Sequence, residues 1–432
     1  MDWPSLLSVH PVAGFQLAAF PFAALYRTLC SFGCLSVNAR YVFLLVGGVI
    51  LSFAAMGPYA LLVLTPAFIS AFLLPEAQPE SVHKWAFLCQ MSWQTLCHLW
   101  MHYSSPTHQD IQSSRLSISV SSLMLLTQRV TSLALDIHDG KLKRALGSRE
   151  HGGPHEHPRN VLPLCSYLIF FPALLGGPLC SFATFEKQIR GSISPLASSP
   201  VKIFIPVAIR VLGLQGLRVF VQEWVSGQPD FATCSQIDCV CTMWSTALLF
   251  KLSYYSHWLL DESLIRTAGF GFQLGHEDTS FDRELSDMDI WTLETTNRMS
   301  VFTRTWNRST SQWLKRLIFQ HSPAQPFLMT FVFSAWWHGL YPGQIFGFLC
   351  WAVMVEADYR IPSYFSSVLK SRHASLLYRV VTWVQTQLLI AYIMVAIEMR
   401  SLSAVCLLCI SYCSLFPLLN LSMHLWLVSG NR

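Results

Sequence analysis

The apolar residues of this chain fall into long, closely spaced runs, and that constrains its fold more than any other feature. Candidate membrane segments lie at 5–26, 41–57, 59–74, 84–100, 116–135, 161–182, 203–225, 239–260, 327–340, 343–359, 376–397 and 403–428. About 20 apolar residues in a helix cover the roughly 30 Å of a bilayer's hydrocarbon. Only 12% of the 432 residues are charged, against about 25% in a soluble domain, so little of the surface is meant for water. The expectation is an all-α polytopic membrane protein, a single domain over 1–432, with about eleven transmembrane helices and a re-entrant segment enclosing a tunnel. The run at 5–26 follows Asp2 rather than a basic cluster, which reads as an uncleaved first helix. Gly47, Gly48, Gly57 and Pro58 interrupt the second and third runs, which suggests a bent hairpin there.

Two polar stretches separate the runs. The first, Asp136 to Asn160, carries Lys141, Lys143, Arg144, Arg149 and Arg159. The second, Asp261 to Gln325, is acidic first (Glu277, Asp278, Asp282, Glu284, Asp287, Asp289) and then basic (Arg298, Arg304, Arg308, Lys315, Arg316). The positive-inside tendency assigns both to the cytosolic face. Three candidate spans lie between them, so that assignment makes one segment re-entrant. Beyond the second loop, 327–340 enters the membrane and 343–359 returns to a loop with Arg360, Lys370 and Arg372. His338 then lies about 17 Å from Phe327 along a helix, deep in the bilayer or near its lumenal face.

Several function classes are disfavoured. A net charge of +5 without a block of basic residues is a poor match to nucleic acid. Thirteen cysteines, an odd number scattered mostly through apolar runs, do not form a disulfide framework. Cys406 and Cys409 have C-x-x-C spacing but no flanking ligands, and serve as small hydrophobes. His98 and His102 share a helix face, yet a di-iron site needs several such boxes. His151, His155 and His157 form only a small cluster. No repeat of helical units, often seen in transporters, is visible.

Three elements carry chemistry. In Ser334-Ala335-Trp336-Trp337-His338-Gly339, an ionisable residue inside an apolar segment is a functional candidate by default. Imidazole takes a proton near neutral pH; the competing reading is a histidine hydrogen-bonded across helices. In Arg304-Thr305-Trp306-Asn307-Arg308-Ser309-Thr310 and Trp313-Leu314-Lys315-Arg316, cations recur at helical spacing. They suit phosphates such as those of a coenzyme A thioester, or an amphipathic helix on anionic headgroups. Asn307-Arg308-Ser309 also fits a glycosylation sequon, which a cytosolic loop would never present for modification. In Phe170–Phe182, Gly176 and Gly177 between Pro172 and Pro178 break a helix, and backbone broken at membrane depth must be buried in protein or line a cavity; otherwise it is a surface turn. Tyr254, Tyr255, His257, Trp258, Asp261 and Glu262 line a cavity or form an aromatic belt. Glu356, Asp358 and Glu398 sit at segment ends, where capping is their simplest role.

Taken together, the break at 176–182, the Trp306-Asn307 element followed by Trp313-Leu314-Lys315-Arg316, and Trp337-His338-Gly339 about thirty residues later resemble the membrane-bound O-acyltransferase family over nearly the whole chain. Further stretches, Trp244-Ser245-Thr246, Lys251-Leu252, Tyr254–Trp258, Asp289–Thr296 and Phe333–Leu340, narrow the likeness to a branch that acylates a secreted peptide. The resemblance implies a multi-pass enzyme of the endoplasmic reticulum membrane. It would move octanoyl, or a similar medium chain, from acyl-coenzyme A to a serine hydroxyl of a secreted peptide precursor. His338 would be general base, and Asn307 would hold the donor or steady the oxyanion. Arg304, Trp306, Arg308, Lys315 and Arg316 would dock acyl-coenzyme A, and Phe331, Trp336, Trp337 and Trp351 would close the acyl tunnel. Neither a metal nor a cofactor beyond the co-substrate is implied. The alternative within the family is a lysophospholipid or sterol acceptor.

Overall fold

A computed structural model describes residues 11–104, 111–141, 161–191, 200–228, 231, 233–270, 272–273, 276–277, 289–368 and 371–429. The histidine cluster at 151–157, most of the basic loop beyond Lys141, and the acidic residues Asp278, Asp282, Glu284 and Asp287 lie outside the described residues. The chain divides into two compact units, Met1–Leu212 with His257–Asp287 and Gly213–Ser256 with Met288–Arg432.

The first unit opens with α1 (Pro11–Ser31), α2 (Val37–Met56) and α3 (Leu61–Leu73). The hairpin expected at Gly57-Pro58 does not form. One 3-10 turn, Gly57–Ala60, joins α2 to α3, and Val37–Leu73 runs on as a 37-residue apolar stretch. Pro58 sits at the start of that turn, where its missing N–H leaves no hydrogen bond unmade. Next come α4 (Val82–Ser104) and α5 (Ile111–His138), which pack together. A polar contact helps pair them: Gln94 Oε1 accepts from Thr127 at 2.8 Å, and its Nε2 lies 3.4 Å from His98 Nε2. His98 is buried in this pairing while His102 is exposed.

The segment expected to span at 161–182 is instead two short helices, α6 (Leu162–Leu168) and α7 (Phe182–Arg190), with irregular backbone between them. That backbone is buried against α2, where Gly48 backs so closely onto the Ile169 carbonyl that a Cβ would overlap it. The freed carbonyls are satisfied from within. Buried Arg129 of α5 donates to Leu168 O at 3.0 Å and to Ala173 O, and Tyr167 Oη donates to Cys180 O at 2.8 Å. Gly176 faces the buried Asp261 carboxylate, which accepts from Gln16 Nε2. This irregular backbone thus keeps its hydrogen bonds inside the protein, as buried backbone must.

Helix α8 (Pro200–Ser226) and helix α9 (Gln236–Thr267) contribute residues to both units. Only 11% of the most apolar stretch of α8 is buried inside the protein, so nearly all of its apolar surface is left for lipid. Asp261 and Glu262, expected to open a polar loop, lie within α9. After it, strands β1 (Phe272–Gln273) and β2 (His276–Glu277) pair antiparallel.

The second unit holds α10 (Ile290–Thr295), α11 (Met299–Thr305), α12 (Arg308–Leu317), α13 (Pro326–His338), α14 (Pro342–Val368), α15 (Arg372–Glu398), α16 (Leu402–Ile410) and α17 (Leu415–Ser429). Gly343 and Gly347 bring α14 against α15, since a Cβ on Gly343 would overlap the Ala396 and Met399 carbonyls. Such small-residue approaches are the usual device for packing helices in lipid. Helices α16 and α17 are bent 71° at their junction, a break inside the run read as 403–428. One local disulfide joins Cys234 to Cys239, where the cysteine pattern suggested none. It bridges the turn before α9 to that helix's first turn, a pairing that depends on where the helix starts.

Among the described residues, four helices are long and apolar enough to cross a membrane: Val37–Leu73, Ser114–His138, Val201–Ser226 and Arg372–Glu398, with the bent α16–α17 pair a fifth. Helices α1, α4, α9 and α14 are 21, 23, 32 and 27 residues long but less apolar.

Candidate active site

Three short helices lead to Asn307. Asp289 caps α10, accepting from Thr292 N at 3.0 Å and Thr292 Oγ1 at 2.6 Å. These bonds hold its carboxyl below the ordinary carboxylate value. Helix α11 ends at Thr305 with Trp306 as its extended cap, and α12 starts after Asn307, whose φ of 46° and ψ of 63° lie in the left-handed region. Asparagine is several-fold enriched there among non-glycine residues. Its side-chain amide has no hydrogen-bond partner among the described residues.

Trp306 is wedged in place. It stacks on Phe302 at 5.4 Å and meets Tyr254 at 5.4 Å and Tyr255 at 6.2 Å. Tyr255 Oη donates to Glu294 Oε1 at 2.6 Å, and Lys251 Nζ lies 2.7 Å from Glu294 Oε2. The Lys251 side chain is only 4% exposed, so Glu294 is the counter-charge that its burial requires. Trp383 Nε1 donates to Glu294 O at 2.9 Å. Nothing in the sequence marks Glu294 as the partner of Lys251, because 43 residues separate them.

Helix α12 is two-faced. Ser309, Thr310 and Trp313 are buried, while Arg308, Gln312 and Lys315 occupy the other side. Trp313 packs against Phe333 at 5.8 Å and Trp337 at 5.2 Å, joining α12 to α13. Arg304 Nη1 donates to Tyr359 Oη at 2.8 Å, and Arg316 is half-buried. The five residues expected to dock a donor therefore occupy one contiguous stretch, α11 to α12, with Trp306 facing inward.

His338 is the last residue of α13. Gly339, at φ 116°, ends the helix with Gly339 N donating to Trp336 O and Leu340 N donating to Ala335 O. Glycine meets this left-handed requirement without a Cβ penalty. The half-buried imidazole lies 4.8 Å from the Trp337 ring and stacks on Phe348 at 5.0 Å. Phe348 is 6.2 Å from Trp351 with planes 7° apart, and Trp351 meets Phe331 at 5.6 Å and Phe302 at 6.0 Å. Trp351 Nε1 donates to Thr303 Oγ1 at 2.7 Å, fixing the indole. A continuous series of ring contacts, Trp306–Phe302–Trp351–Phe348–His338, thus runs from beside Asn307 to the imidazole.

Of the four aromatics expected to close a tunnel, Phe331 and Trp351 belong to this wall. Trp337 turns toward Trp313 instead, and Trp336 lies edge-on to Phe333 at 6.2 Å. Adjacent residues on a helix point about 100° apart, so all four cannot share one surface. Phe348, three residues from Trp351 on α14, completes the wall, and that spacing was the available signal. No group of three or more His, Cys, Asp or Glu residues placed to hold a metal occurs among the described residues.

Comparison with known proteins bears on the family of this chain. Residues 81–397 match the model of MBOAT, the membrane-bound O-acyltransferase family. The chain is 50% identical over 420 residues to membrane-bound ghrelin O-acyltransferase MBOAT4 of Mus musculus, covering 97% of this chain and 96% of that protein. It is 50% identical over 418 residues to the same enzyme of Rattus norvegicus, covering 96% of each. It is 27% identical over 418 residues to membrane-bound glycerophospholipid O-acyltransferase 1 of Homo sapiens, covering 89% of this chain and 82% of that protein. The chain is a multi-pass membrane acyltransferase and belongs to the membrane-bound O-acyltransferase family.

Proposed function

We propose that this protein transfers a medium-chain acyl group, octanoyl, from acyl-coenzyme A to a serine hydroxyl of the ghrelin precursor in the endoplasmic reticulum membrane. The observation that carries this reading is the 50% identity, over nearly the whole length, to two proteins named ghrelin O-acyltransferase. The lower identity to glycerophospholipid acyltransferases makes a lysophospholipid acceptor the second reading, and a sterol acceptor has less support.

His338 is assigned the role of general base. Its imidazole accepts the serine proton as the hydroxyl oxygen attacks the thioester carbonyl. Positive charge then develops on the ring at the carboxyl end of α13, where helix carbonyls favour a cation by about 0.3–1 kcal/mol. The tetrahedral oxyanion collapses, the C–S bond breaks, and the coenzyme A thiolate takes the proton back from His338. Asn307, with an uncommitted amide at the amino end of α12, donates to the oxyanion or to the donor carbonyl. Arg304, Trp306, Arg308, Lys315 and Arg316 hold the coenzyme A end. Phe331, Phe348 and Trp351 limit how far the acyl chain extends, and each misfit methylene is worth about 0.8 kcal/mol.

The test is transfer by purified protein from labelled octanoyl-coenzyme A to a peptide bearing the ghrelin amino terminus, with lysophospholipids offered in parallel. Peptide labelling with no lysophospholipid product supports the assignment. The opposite pattern moves the acceptor to the lipid class.

A further inference from the structure

Beyond the aromatic wall, α14 runs on from Phe348 to Asp358, ten residues or about 15 Å along the helix. There the second unit holds a half-open cavity of about 530 Å³, with Arg379 exposed at its rim and Ser375 and Tyr378 half-buried. One wall is a polar stripe on α15, with Ser375, Tyr378, Arg379, Thr382 and Gln385 recurring at helical spacing. Helix α15 is otherwise among the most apolar of the chain. Polar side chains grouped on one face of such a span mark a water-filled or ligand-bearing cavity. The far wall is an ion pair already complete. Arg298 Nε reaches both carboxylate oxygens of Asp358 at 3.0 and 3.1 Å, and Asp358 Oδ2 also accepts from Ser300 N at 3.0 Å. Asp358 is thereby spent on Arg298. Arg379 has no carboxylate partner among the described residues, so the lining carries one uncompensated positive charge beside the hydroxyls of Ser375 and Tyr378.

We propose that this cavity is a binding site for a phosphate-bearing group, held by Arg379 with those hydroxyls as neutral donors. Two sources share this chemistry. One is the nucleotide end of the donor thioester, and its case rests on the function proposed above: the 15 Å offset from Phe348 is of the order of an extended pantetheine arm. The other is the headgroup of an anionic phospholipid, since Arg360 and Arg372 flank the same end of α14 and α15 as at a membrane surface.

The experiment uses full-length protein in nanodiscs and measures binding alone. Wild type, Arg379→Gln and Ser375→Glu are titrated with free coenzyme A and, separately, scored by native mass spectrometry for retained phosphatidic acid; Arg372→Gln is the control for general surface charge. Loss of one charge-assisted contact should weaken binding by about tenfold or more. The carboxylate placed by Ser375→Glu should do the same by repulsion. Weakened coenzyme A binding with phosphatidic acid unchanged assigns the site to the donor, and the reverse assigns it to the lipid. The proposal is overturned if wild type binds neither, or if both cavity variants, folded as judged by thermal unfolding, match wild type or Arg372→Gln for both ligands. Neither readout requires acyl transfer, so failure of the proposed reaction would leave this result standing on its own.

Discussion

Phe348 lies against the His338 imidazole, ring centroids 5.0 Å apart and planes 29° from parallel. One face of the proposed base is therefore covered by an aromatic ring, and the same ring stacks on Trp351. An acyl chain lying along these rings, as proposed, would touch residues that also pack on the base, and chain-length preference and catalytic rate are then expected to be coupled through Phe348.

Shortening the wall should change length preference. Trp351→Ala and Phe348→Ala remove bulky rings and should shift the preferred donor from octanoyl toward longer chains, measured by competition among acyl-coenzyme A donors. Thr303→Val deletes the bond that fixes the Trp351 indole and should broaden the preference rather than move it. Trp336→Ala and Trp337→Ala, outside the wall, should leave the profile in place.

Asn307 allows backbone and side chain to be separated. Asn307→Gly keeps a residue that adopts φ 46° freely but loses the amide. Asn307→Ala loses the amide and adds about 1 kcal/mol or more of left-handed strain. If the amide acts in the reaction, both variants lose turnover alike while expressing normally. Recovery in Asn307→Gly alone would mean that the turn, not the amide, is what the site requires.

Gly343 sets the α14–α15 approach. Gly343→Ala places a Cβ on the Ala396 and Met399 carbonyls, and overpacking of this kind typically costs about 1–3 kcal/mol. The expected outcome is a lower thermal midpoint and reduced folded yield in detergent, read by size-exclusion chromatography. An unchanged midpoint would contradict the close approach.

Asp289 should show a pH-dependent cap. Its folded-state carboxyl sits below the ordinary value of 3.8 because Thr292 donates to it twice. A depressed folded value means that the cap stabilises α10 fully above 3.8 and is lost as pH falls through the lower folded value. Asp289→Ala should cost about 0.5–2 kcal/mol locally at neutral pH. Faster amide exchange over 290–296 at pH 7 is the measurement.

Much of this was legible in the sequence, because the informative positions break local rules. A histidine in an apolar run, an asparagine between two helical cation clusters and paired glycines between prolines all stand out without a fold. The helix faces of α13 and α14 do not. A helix apolar on all sides has no moment to orient it, so the sequence groups Trp336 and Trp337 with Phe331 and leaves Phe348 out. The Lys251–Glu294 pair and the Cys234–Cys239 bond are hidden for a related reason: the first is a distant pairing, the second depends on where α9 begins. Within 161–182 the apolar run reads as a span that the chain does not form, but the glycines and prolines inside it mark the break in the helix. The buried arginine that satisfies it, Arg129, lies on another helix.

The most direct test compares wild type, His338→Ala and His338→Gln in acyl transfer from octanoyl-coenzyme A to the peptide serine, at matched membrane expression. Loss of about 10²–10⁴-fold in turnover for both variants, with octanoyl-coenzyme A binding retained, is the predicted result. Turnover close to wild type in either folded variant would contradict the account.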